Sequence, residues 1–181
     1  MEAPGRHSLN YLKEARLSRH NTAIASDVRK SSLALFISEV VSKTIREEEK
    51  NTAVFDFLEQ TIESLEQMND GFSVFHLQFL INFSSYLGFQ PHNNHSENNT
   101  IFDLQEGRFQ DFFPNHPYYL AGAEALSFSE FLEATSYQRP TPELSLTAKF
   151  KMLTAMLDYY HMHLTGMGQI RSLGILREVF R

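Results

Sequence analysis

Cysteine is absent from the 181 residues, which excludes disulfides and thiolate-held metals. A reducing compartment is compatible with that absence. No apolar run is long enough to span a bilayer. The short signatures of common chemistry are missing too: there is no glycine-rich phosphate loop, no Gly-x-Ser-x-Gly elbow and no His-Glu-x-x-His pair. Glu47, Glu48 and Glu49 are consecutive, so a helix spreads their carboxylates instead of pairing them. No enzyme is expected on these grounds.

The histidines are the remaining metal candidates. His92 and His95 stand in a His-x2-His spacing, with Asp103 and His116 in the same stretch. Structural zinc sites rely overwhelmingly on cysteine, however. His161 and His163 are two apart on a predicted helix and point to different faces. No metal and no cofactor are therefore expected.

Charge is scarce in one sign and unevenly placed. Residues 1–30 hold six Lys or Arg against three acids, while the remainder holds ten against nineteen. An acidic body argues against a broad nucleic-acid surface and leaves the basic N-terminal segment as the part that could contribute one. Arg16, Arg19, Arg29 and Lys30 are its candidate phosphate contacts, and binding through so few cations should be weak and fade with salt.

What the chain does have is helical periodicity. Leu33, Phe36, Ile37, Val40, Val41, Thr44 and Ile45 recur on one helical face, predicting a helix over 26–49 with Ser26 as its cap. Asn51 or Thr52 caps a second over 52–68, where Phe55, Leu58, Ile62 and Leu65 follow a 3-4-3 spacing. The turn Asn69-Asp70-Gly71 leads into a third, 72–87, apolar almost all round and so central to a bundle. Phe75, Leu80 and Phe83 are expected to be buried there, and His76 to be a buried neutral histidine with one hydrogen-bond partner. Gly88 ends that helix as a left-handed cap.

The periodicity stops across 89–126. Asn-rich 92–100 reads as a mobile loop, 101–109 as a hairpin turning at Gly107, and the segment with Pro114, Pro117 and Tyr118-Tyr119 as irregular chain pinned to the bundle. Ser127 and Glu130 form a capping-box pattern for a helix over 127–136, with Leu126 and Phe131 as its staple. Thr141 and Pro142 predict the start of a helix over 142–164, striped by Leu146, Phe150, Leu153, Leu157, Tyr160 and Leu164. Ser172 opens a terminal helix over 172–180. The fold class is mainly α: a helical bundle with a small irregular or β-hairpin insertion.

Several segments in this order resemble the C-terminal helical part of the RecO family of bacterial recombination-repair proteins, in the form found in Bacteroidetes-type bacteria. They are Tyr11-Leu12-Lys13-Glu14-Ala15-Arg16, Ile45-Arg46-Glu47-Glu48-Glu49, Phe75-His76-Leu77-Gln78-Phe79-Leu80 and Tyr86-Leu87-Gly88-Phe89-Gln90-Pro91. Further along come Phe102-Asp103-Leu104-Gln105-Glu106-Gly107-Arg108-Phe109, His116-Pro117 and the closing Ser172-Leu173-Gly174-Ile175-Leu176-Arg177-Glu178-Val179-Phe180. The resemblance implies an N-terminal OB-fold barrel, of which residues 1–23 are a remnant and linker, then a helical domain over 24–181 interrupted by an insertion at 89–126. That insertion is a zinc-ribbon-like module in many members. Without cysteine it is expected to be a degenerate, metal-free version held by Phe102, Phe109, Phe112 and Phe113.

The function implied is non-enzymatic. It comprises DNA binding and annealing, and loading of recombinase, with RecR, onto DNA coated by single-strand-binding protein, in the bacterial cytoplasm at the nucleoid. The helical part is then expected to receive the tail of single-strand-binding protein, an acidic segment ending in an apolar residue and a free carboxylate. Arg139, Lys149, Phe150, Lys151 and Leu153 are the favoured contacts, because an apolar stripe runs beside the cations. Arg171, Arg177 and Arg181 form a second cluster. A free-standing helical adaptor for a peptide or small ligand is the alternative.

Overall fold

The computed structural model describes Glu14 and residues 21–45, 51–136 and 140–180. Seven helices and three short strands are found there: α1 (Thr22–Ser26), α2 (Val28–Thr44), α3 (Thr52–Gln67), α4 (Phe72–Tyr86), β1 (Ile101–Asp103), β2 (Arg108–Gln110), β3 (Tyr119–Leu120), α5 (Ala123–Ser136), α6 (Leu146–His163) and α7 (Leu173–Val179). The mainly α expectation holds.

The all-apolar α4 is the axis of the bundle. Leu77, Leu80, Ile81 and Phe83 are wholly buried, while Phe75 at its edge is half-buried. Gly71, at φ +72, turns the chain into this helix. Leu33, Phe36, Ile37 and Val40 of α2 cover it from one side. On the other side Tyr160 of α6 donates its hydroxyl to the Leu80 carbonyl at 2.6 Å. His76 is buried as expected, edge-on to Phe36. Its Nδ1 has no hydrogen-bond partner. Burial, reinforced by the Lys149 charge, pushes the imidazole down to about 4, so it is neutral.

Several helix ends depart from the sequence pattern. The first long helix starts after Asp27, whose carboxylate accepts the Arg29 N–H at 2.8 Å. It ends at Thr44 because Ile45 is extended; residues 46–49 lie outside the described residues. Before it sits α1, its N-terminus held by Glu66 of α3, whose carboxylate accepts from Ala23 N and Ile24 N, both at 2.8 Å. The Ser127–Glu130 capping box is internal to α5, which begins at Ala123 after Gly122 (φ +58). Leu126 is exposed and forms no staple. Thr141 and Pro142 do not start α6: Ser145 does, accepting from Ala148 N at 3.2 Å, while Leu144 packs onto the core.

The insertion is a three-stranded antiparallel sheet in the order β2-β1-β3, with Phe102 opposite both Phe109 and Leu120. Phe102 packs edge-on against Phe109 and Phe128, which fastens the sheet to α5. Phe112 and Phe113 are mostly exposed, so the aromatic clamp is Phe102, Phe109 and Phe128. The Asn-rich stretch is tied down where a mobile loop was expected. Asn94 exchanges two side-chain hydrogen bonds with the Phe109 backbone, and Asn93 bridges to the Ser129 carbonyl and hydroxyl. Asparagine amides here replace a missing strand partner by pairing with backbone groups.

Candidate docking cleft

The cations singled out from the sequence separate into different environments. Arg16, Arg19, Arg139 and Arg181 lie outside the described residues. Arg29 forks onto Asp27, with Nη2 at 2.7 Å from Oδ2, and its guanidinium lies 4.4 Å from the Phe72 ring centroid. That hydrogen bond holds the Asp27 carboxyl down at about 2. Arg29 still exposes half of its side chain. Lys30 is a correction: it is buried, and its ammonium donates to the Glu66 carbonyl at 2.5 Å. An ammonium committed to the end of α3 is not a phosphate contact.

The favoured cluster on α6 also divides. Lys149 turns toward α4 and donates to Ser73 Oγ at 2.8 Å. Phe150 is half-buried, and Leu153, at 1% exposure, belongs to the core and lines no surface. Lys151 faces the other way, on the same helix face as Ala148 and Met152. There a cleft of about 220 Å³ opens between the N-terminal ends of α5 and α6. Leu120, Ala123, Ala148 and Met152 give it an apolar lining, and Lys151 and Glu124 pair at its rim. Both rim side chains are about half exposed, so their ion pair contributes roughly 0–1 kcal/mol. A ligand carboxylate can displace Glu124 at little cost. The sequence reading missed Ala123 and Glu124 because it started α5 at residue 127; the run of helix formers at Ala123, Glu124, Ala125 and Leu126 was the available signal.

The second cluster, of which Arg171 and Arg177 are described, adjoins a carboxylate that takes the Arg171 backbone amide and not its guanidinium. Glu39 of α2 reaches across to the start of α7, accepting from Lys43 Nζ at 2.7 Å, Arg171 N at 2.9 Å, and Ser172 N and Oγ at 2.8 and 2.6 Å. Burial pushes this carboxyl up, but the hydrogen bonds from Lys43, Ser172 and Arg171 together outweigh it and bring it down to about 2. Arg177 reaches Thr154 Oγ1 at 3.4 Å. A cleft of about 480 Å³ adjoins Arg171, but its lining is mostly polar: Glu39, Lys43 and Gln169 beside Met167 and Gly168.

In the insertion, Asp103 is the organising group. Its Oδ1 accepts from Gln105 N at 2.8 Å and Glu106 N at 3.2 Å, and its Oδ2 accepts from Gln110 Nε2 at 3.1 Å. His116 Nε2 lies 3.5 Å from the same carboxylate. His95 packs edge-on to Phe109, away from this pair. Among the described residues no three His, Cys, Asp or Glu side chains gather as a metal-holding group. No described helix is long and apolar enough to cross a membrane.

Fold and cleft together define a mainly α-helical domain with a small antiparallel insertion and a partly apolar cleft of about 220 Å³ between α5 and α6. The family described as Recombination protein O C terminal matches residues 25–160. The chain is 30% identical over 172 residues to the DNA repair protein RecO of Azobacteroides pseudotrichonymphae, covering 95% of this chain and 71% of that protein. It is 32% identical to the RecO of Christiangramia forsetii, covering 97% and 72%, and 34% identical to that of Flavobacterium psychrophilum, covering 96% and 71%. The chain belongs to the RecO family. No solved structure matches it.

Proposed function

We propose that this chain is a non-enzymatic mediator of recombinational DNA repair, acting with RecR to load recombinase on DNA coated by single-strand-binding protein, in the bacterial cytoplasm at the nucleoid. In this reading residues 24–181 are a helical domain that docks partners. The observation that carries the docking role is the α5–α6 cleft: apolar inside, with the Lys151 ammonium at its rim. An acidic segment that ends in an apolar residue and a free carboxylate fits that chemistry, its side chain against Met152 and its carboxylate on Lys151. Family membership supports the repair role and outweighs a free-standing adaptor. DNA binding by the chain is weak and salt-sensitive, with Arg29 the described side chain that retains exposure for it.

The test is a titration with a labelled acidic peptide ending in a Phe carboxylate. Lys151→Glu weakens binding about tenfold or more, as loss of a charge partner and its replacement by a like charge require. Lys149→Glu has a smaller effect because its ammonium faces α4. Weakening confined to Arg171→Glu/Arg177→Glu, with Lys151→Glu unaffected, rejects the cleft.

A further inference from the structure

A groove of about 810 Å³ runs between α3 and α4 and reaches the end of α5. Phe57, Gln60, Thr61 and Ser64 of α3 face it at a 3-1-3 spacing, and Phe75, Gln78, Phe79, Asn82 and Tyr86 of α4 face it at 3-1-3-4. A stripe with that spacing between adjacent helices is ordinarily aliphatic and closed. Here side-chain amides and hydroxyls hold it open above an aromatic floor. Phe57 stacks at 5.9 Å on both Phe79 and Phe83 and at 4.6 Å on Tyr86.

Two features point to a ligand and to its kind. Thr135 at the end of α5 lines the groove, is 93% buried (7% exposed), and its Oγ1 has no hydrogen-bond partner. A buried hydroxyl left unpaired is costly, and a ligand group entering the groove relieves that cost. The second feature is charge: among the described residues no lining side chain carries a formal charge. A phosphate backbone needs cations, and an acidic tail needs at least one, as at Lys151. Carboxamides both donate and accept, which matches the unpaired N–H and C=O groups of extended backbone more closely than those of a helix, already satisfied internally.

We infer that this groove is a second docking site, taking an uncharged, extended polypeptide segment of a partner protein, with one large apolar residue seated on the Phe57–Phe79 rings. The segment's backbone pairs with Gln60, Gln78 and Asn82, and one of its polar groups pairs with Thr135 Oγ1. The site is separate from the α5–α6 cleft and does not depend on the acidic tail reading.

The experiment selects a displayed random-peptide library on the full chain, then titrates the synthetic consensus peptide. The expected consensus is uncharged with one Leu or aromatic anchor. Its binding is weakened about tenfold by Gln78→Glu/Asn82→Asp and measurably by Thr135→Val, and is unchanged by Lys151→Glu. Thermal melts confirm that the variants are folded; if the double variant is not, Gln60→Glu on α3 carries the same reading. An acidic consensus, absence of enrichment, or binding that survives the groove variants overturns the proposal. So does a homodimer abolished by Asn82→Asp, which assigns the groove to a second copy of the chain.

Discussion

Glu39→Gln measures how the C-terminal segment is held to the bundle. The carboxylate accepts four hydrogen bonds, from Lys43 Nζ, the Arg171 and Ser172 amides and the Ser172 hydroxyl, and only 16% of its side chain is exposed. Glutamine keeps one oxygen acceptor but presents an NH₂ to donors on its other side. Hydrogen bonds to a charged group contribute about 1.5–3 kcal/mol. Some of that is recovered because the Ser172 hydroxyl can rotate to accept, so we expect a loss of about 2 kcal/mol at neutral pH. For a domain of this size that lowers the melting temperature by roughly 4–8 °C. The sign with pH follows from the depressed folded value, about 2 against an ordinary 4.5. Stability from this carboxylate is fully present above 4.5 and is lost as pH falls toward 2. Urea unfolding of both proteins should therefore show a gap at neutral pH that narrows progressively below the ordinary carboxylate value. An equal gap in acid, or a neutral-pH gap under about 0.5 kcal/mol, refutes the reasoning.

Two further expectations follow from buried groups. His76 is held neutral, with a folded value of about 4 against 6.5, so the stability it contributes is present above 6.5 and declines as pH falls toward 4; His76→Leu should flatten the urea midpoint across that window, and an unchanged slope contradicts this. Gly107→Ala should destabilise the protein by roughly 2–3 kcal/mol, because φ is +67 and a Cβ would lie 2.7 Å from the Tyr159 hydroxyl, which itself donates to the Phe89 carbonyl at 2.5 Å. Gly88→Ala meets nothing within 4 Å at φ +84, so it bears only the backbone strain; equal losses at the two positions would contradict the account.

Much of the architecture was legible because burial follows spacing. The stripe Leu33, Phe36, Ile37 and Val40 and the apolar run from Phe72 are core in the structure as in the pattern, and Gly107 turns between β1 and β2 with a positive φ. Helix starts were less legible because capping patterns occur by chance. Ser127 and Glu130 match a capping box in the middle of α5, and Thr141-Pro142 loses to Ser145. Longest in reach, and invisible in any local window, are the carboxylates that hold distant helix starts. Glu39 meets Ser172 across 133 residues, and Glu66 meets Ala23 across 43. The candidate site shows both limits. Lys151 was legible as a cation beside an apolar stripe, whereas Glu124 opposite it came from a helix end placed too late. Lys30 looked like an ordinary basic residue until the fold buried it against Glu66.

Methionine methyl NMR tests the docking claim most directly, since the chain's methionines sample its competing surfaces. Met152 lines the α5–α6 cleft, and Met167 stands beside Arg171 near Glu39. On adding the acidic peptide with a terminal Phe carboxylate, the account predicts a saturable shift of the Met152 methyl, absent in Lys151→Glu, with Met167 unmoved. A shift at Met167 with Met152 silent, or no saturable shift at either, contradicts it.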